Sequence, residues 1–196
     1  MKTASLARTV LIVAILNLAY FGFEFTVALR IESASLLADA ADFFEDAAVN
    51  GLILLGLGWS ASNRARLGKL LAFVLLAPVL AFAWTLWRKW NSSVVPAPDL
   101  LSLTGLGALT INLFCAFLLA RYRRHGGSLT KTAFLSARND AIANIGIIGA
   151  AAATFLTKSV WPDIVVGCAI ACLNIDAARE VLAAARGEKA LDSAEA

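Results

Sequence analysis

Long apolar runs, separated by short polar stretches or by glycine and proline, set the pattern of the chain. Six of them match the roughly 20 residues that a helix needs to cross about 30 Å of hydrocarbon, at about 9–29, 34–59, 69–87, 100–120, 132–157 and 161–184. Lipid offers no partner for a free backbone N–H or C=O, so each run predicts a helix, and the strict alternation of a membrane barrel is missing. The breaks carry the expected punctuation: Ser60-Ala61-Ser62-Asn63 after the second run, Pro96 and Pro98 before the fourth, Gly126-Gly127 before the fifth and Trp161-Pro162 opening the sixth. Lys2 and Arg8 precede the first run as in a signal peptide, but no small-x-small cleavage site follows, which favours a retained span.

Composition agrees with this pattern. Of 196 residues 60% are hydrophobic and 16% charged, against about 45–50% and 25% in soluble domains. A net charge of +3, dispersed over loops, argues against nucleic acid as a partner. One His and three Cys provide neither a zinc-finger framework nor a disulfide scaffold. The expected fold class is therefore an all-α membrane protein, a six-transmembrane-helix bundle over 1–186 with a short cytoplasmic tail at 187–196. The lipid bilayer is its first partner.

Orientation follows from basic residues. Lys2, Arg8, Arg64, Arg66, Lys69, Arg121, Arg123, Arg124, Lys131, Arg179, Arg186 and Lys189 fall on one side, and Arg30, Arg88, Lys89 and Lys158 on the other. That asymmetry predicts both termini in the cytoplasm. Trp59, Trp84, Trp87, Trp90 and Trp161 lie at run ends, where indoles anchor at the interface.

The informative residues are polar ones within the spans, where an ionisable group costs about 2.5–3.5 kcal/mol even on the lenient insertion scale. In the second span Asp39, Asp42, Asp46 and Asn50 fall within roughly 80° of one another, while Glu45 falls off that stripe. In the fifth, Ser136, Asp140 and Asn144 are spaced i, i+4, i+8, with Asn139 flanking them. Asn17 and Glu24 stack in the first span; Asn112 lies in the fourth; Asp163 and Asn174 lie nearly in line in the sixth. Arg138 is the only base within a span; it points about 160° away from Asp140, toward the interface or toward Glu45. Cys168 and Cys172 lie roughly 140–180° from Asp163 and read as packing residues. Gly146, Gly149, Ala150 and Ala153 would let helices approach closely.

Asp42, Asp46 and Asp140 need something positive: a cation, a proton or a basic partner. Carboxylate, hydroxyl and amide oxygens suit divalent ions, and an empty site would take up protons, so exchange of metal for proton follows. A rival reading is a non-transporting membrane assembly or sensory protein that uses buried acids for helix docking. An enzyme is not expected, since no His-based site supports hydrolytic chemistry.

The ordered set Asn17-x6-Glu24, Ser35-Leu-Leu-Ala-Asp39-Ala-Ala-Asp42-x3-Asp46, Asn112-Leu, Ala133-Phe-Leu-Ser-Ala-Arg-Asn-Asp140-Ala-Ile-Ala-Asn-Ile-Gly146 and Trp161-Pro-Asp163 resembles the cation diffusion facilitator family over about residues 10–185. The resemblance implies a six-helix, usually dimeric exporter of Zn2+ or a related divalent ion from the cytoplasm against protons, in the inner or plasma membrane. Asp42 and Asp46 match its second-span motif. Asp140 matches the fifth-span Asp, with Ser136 where a His is usual, so Ser136 or Asn144 would complete the set of metal ligands. No cofactor is implied apart from the transported ion: Zn2+ first, then Fe2+, Mn2+, Co2+ or Cd2+. No regulation by the cytoplasmic C-terminal domain common in the family is expected from this sequence, and with His125 alone the basic loop at 121–131 reads as an anchor.

Overall fold

The computed structural model describes residues 2–55, 76–91, 94–120 and 127–173. Among them the chain forms six helices and no strand: α1 (Lys2–Ile31), α2 (Ala34–Leu55), α3 (Leu76–Asn91), α4 (Pro98–Ala120), α5 (Gly127–Thr157) and α6 (Trp161–Leu173). Three helices contain segments long and apolar enough to cross a membrane: Leu6–Ile31, Pro98–Ala120 and Ser136–Thr157. The first part of the third run, with Trp59 before it, lies outside the described residues. So do the loop around His125, the end of the sixth run with Asn174, and the tail at 187–196.

Local chemistry explains the helix ends. Pro98 sits in the first turn of α4, where a missing N–H costs nothing, and Asp99 beside it favours the positive end of the helix dipole. α1 stops because Glu32 turns left-handed at φ 53°, with Ser33 N–H donating back to Ala28 O at 3.0 Å. Lys158, also at φ 53°, ends α5 in the same way.

Packing is inverted relative to a soluble bundle. Leu103 and Phe117 of α4, Ile142, Phe155 and Leu156 of α5, and Leu11, Ile15 and Leu18 of α1 face outward. Asn17, Glu24, Asp39, Asp46, Asn112, Asn144 and Asp163 are buried. Such an exterior is unstable in water and natural in hydrocarbon. The exposed Trp84, Trp87, Trp90 and Trp161 belong to the same surface. Apolar packing within the bundle joins Ala28, Leu36, Leu101, Ile147 and Ile170 from five helices, with a smaller cluster of Val13, Cys115, Leu119 and Ala137 beside it.

α2 is the hub, meeting α1, α3, α4 and α5. α6 closes on its start: an added Cβ at Gly167 would lie 2.8 Å from Ala34 C and Ser35 N, so only glycine fits. Of the small residues expected to bring α5 against a neighbour, Gly146 lies beside Val166 of α6, which its added Cβ would meet at 3.7 Å, and Ala150 is buried. An added Cβ at Gly149 would meet nothing within 4 Å, and Gly146, Ala150 and Ala153 join it along an open apolar groove between α5 and α6. The tight approaches fall instead at Gly167 and at Gly105, whose added Cβ would meet Ile147 at 3.0 Å.

Candidate cation site

Three polar layers are stacked through the bundle. The widest is a cavity of about 390 Å3 where α2 and α5 face each other. α2 contributes Asp42, Glu45 and Asp46, and α5 contributes Ser136, Asn139 and Asp140, while Ile170 and Leu173 of α6 form an apolar wall. Ser136 Oγ joins the two helices, donating to Asp46 Oδ1 at 2.9 Å and lying 3.5 Å from Asp140 Oδ2. Asp46 is further held by Asn17 of α1, whose Nδ2 lies 3.5 Å from its Oδ2. The sequence-derived residues Asp42, Asp46, Ser136 and Asp140 thus come together around one space.

Asn144 does not join them. Its Nδ2 donates to both oxygens of Asp39 at 2.7 Å, and its Oδ1 accepts from Asn112 Nδ2 at 3.3 Å. All three residues are fully buried. Asn144 shares a helical face with Asp140, but four residues of rise carry it about 6 Å along the axis, into this second layer. Glu24 is fully buried too and faces Asp39, and among the described residues no donor reaches either of its carboxyl oxygens.

The third layer caps α2. Asp163 accepts from Ser33 Oγ at 2.7 Å, Ser35 Oγ at 2.6 Å, Ser35 N–H at 3.1 Å and Ala34 N–H at 2.8 Å. Lys89 Nζ completes the knot 3.2 Å from Asp163 Oδ2, both side chains fully buried. A carboxylate at a helix N-terminus is favoured by the free N–H groups and the dipole. Asp163 is therefore a structural cap. Lys89, counted among the basic residues of the outer side, is thus a buried partner of Asp163 near the end of α3.

Two residues outside the expected set of ligands also line the cavity. Glu45 lies off the acidic stripe yet lines the space, as does Asn139. Arg138 is exposed, donates through Nη2 to Asn139 Oδ1 at 3.1 Å, and makes no ion pair with Glu45 among the described residues. Cys172 is exposed and Cys168 partly so, and neither is among the residues lining the cavity.

Electrostatically the cavity is incomplete. It gathers four carboxylates, and among the described residues no Lys or Arg lines it. Nor do the acids close into a ready cage: among the described residues no three His, Cys, Asp or Glu side chains stand in ligating geometry. The space has room for several waters beside an ion.

Residues 10–186 match the family model for the cation efflux transmembrane domain. The chain belongs to the cation diffusion facilitator family. It is therefore a membrane-embedded cation transporter of that type, and the resemblance first seen in scattered polar residues holds over nearly the whole chain. No curated relative matches closely enough to add to this.

Proposed function

We propose that this family member exports a divalent transition-metal cation from the cytoplasm in exchange for protons. Asp42, Asp46 and Asp140 carry the ion, with Ser136, rather than Asn144, completing the oxygen shell. The reading is supported chiefly by one observation: Ser136 bridges acids of α2 and α5 at a single cavity, and among its described lining residues none is basic. Zn2+ is the first ion to test, followed by Fe2+, Mn2+, Co2+ and Cd2+, because oxygen donors accept all of them with different strengths.

Proton exchange follows from the same donors. Carboxylates must be deprotonated to bind metal, so an ion leaving toward the more acidic side is replaced by protons. Alternating access would come from rocking α4 and α5 against α1 and α2 about the site. The rest of the proposal is six spans, both termini in the cytoplasm, a homodimer and placement in the inner membrane. In proteoliposomes, a Zn2+ or Mn2+ gradient should drive proton movement by the unaltered chain, and Asp140→Ala should abolish it while leaving the fold intact. Metal uptake without proton movement would leave the site and remove the antiport.

A further inference from the structure

Glu45 is assigned no part by the stripe on α2 or by the family resemblance. It lies about 100° around the helix from Asp46, yet it lines the same cavity as Asp42, Asp46, Ser136 and Asp140. Its carboxylate interacts electrostatically with Asp46 on its own helix and with Asp140 across the space. It is only half-buried, and among the described residues no basic side chain pairs with it. Arg138, the base within the spans that was one candidate partner for it, is exposed and donates to Asn139.

A fourth acid beside three others adds negative charge to one space, and among the described residues that line it there is no Lys or Arg. The neighbouring donor at 136 is a weak one: its hydroxyl proton already goes to Asp46, which leaves only a neutral oxygen for an ion. A long, half-exposed carboxylate remedies that deficit. In a cavity with room for several waters, it reaches a hydrated cation directly or through one water.

We infer that Glu45 is a fourth carboxylate of the ion site, resting on the reading of this cavity as that site, and that ion choice here depends on charge and oxygen affinity rather than on a nitrogen donor. The ligand class is a hard or borderline divalent cation that keeps part of its water shell, for which Mn2+ is the diagnostic probe.

The experiment titrates purified chain in lipid nanodiscs with Mn2+ and with Zn2+, comparing Glu45→Gln, Glu45→Asp, Asp46→Asn and the double variant Glu45→Gln/Ser136→His. Thermal unfolding of each monitors the fold. Glu45→Gln should weaken both ions by about 10–100-fold, and Glu45→Asp, which keeps the charge, should stay within a few-fold of the unaltered chain. The double variant should recover Zn2+ more than Mn2+, because imidazole favours Zn2+. Unaltered binding by Glu45→Gln alongside loss in Asp46→Asn would overturn the assignment and leave the ion site standing. Equal losses in Glu45→Asp and Glu45→Gln would also overturn it, because shape rather than charge would then be responsible. Unaltered binding by Asp46→Asn would instead strike at the cavity reading itself.

Discussion

Replacing Asp163 by alanine removes the acceptor around which the start of α2 is built. Four donors from Ser33, Ala34 and Ser35 lose their partner at once, and Lys89 Nζ keeps only Val94 O, at 3.3 Å. Lys89 is fully buried, so water cannot take over. Breaking a buried pair from one side costs about 3–5 kcal/mol, most of it for the charge left behind. The serine hydroxyls can turn to other acceptors, so we expect a loss of about 4 kcal/mol for Asp163→Ala, within that range. Removing the stranded charge as well should return part of it: Lys89→Met/Asp163→Ala should be less destabilised than the sum of its single variants. The assay is reversible unfolding in mixed detergent micelles, followed by circular dichroism. A loss below about 1 kcal/mol for Asp163→Ala, the size of an exposed pair, would refute the argument.

Three further outcomes are expected. Gly167→Ala should destabilise by about 1–3 kcal/mol, because the new methyl meets the backbone of Ala34 and Ser35 rather than a movable side chain; an unchanged melting temperature would mean that α6 does not seat there. Asn144→Ala should lower the melting temperature with little change in ion affinity, since it strips both donors from buried Asp39, whereas Ser136→Ala should weaken ion binding several-fold and leave melting nearly unchanged. Ion affinity should fall as pH falls, because protons and metal compete for the same carboxylates; calorimetry in buffers of different ionisation enthalpy should show protons released on binding, and their absence would count against carboxylate ligands.

Much of this architecture was legible from residue order, because hydrophobic runs and helical spacing are local. Asp46 and Asp140 are a legible pair, since polar stripes on apolar helices turn toward one another and away from lipid. Glu45 could not, because a stripe drawn about 80° wide assumes a narrow seam, and this cavity spans a helix corner. Adjacent polar pairs, Glu45-Asp46 and Asn139-Asp140, were the available signal: neighbours 100° apart are both polar only where the wet space is broad. Asn144 was misleading for the opposite reason, because angular agreement says nothing of depth along the axis. The Lys89–Asp163 pair was hidden because counting basic residues treats each as a loop anchor, and α3 runs four residues past the expected end at 87.

Whether Asp46 and Asp140 serve one shared ion is tested most directly by calorimetric titration of Zn2+ and Mn2+ into the unaltered chain, Asp46→Ala, Asp140→Ala and the double variant. A shared ion predicts a single binding event per chain that either substitution alone removes, with the double variant no worse. Binding that survives each single substitution at reduced strength, with losses simply adding in the double, would mean that the two carboxylates act on different ions and that no common site exists.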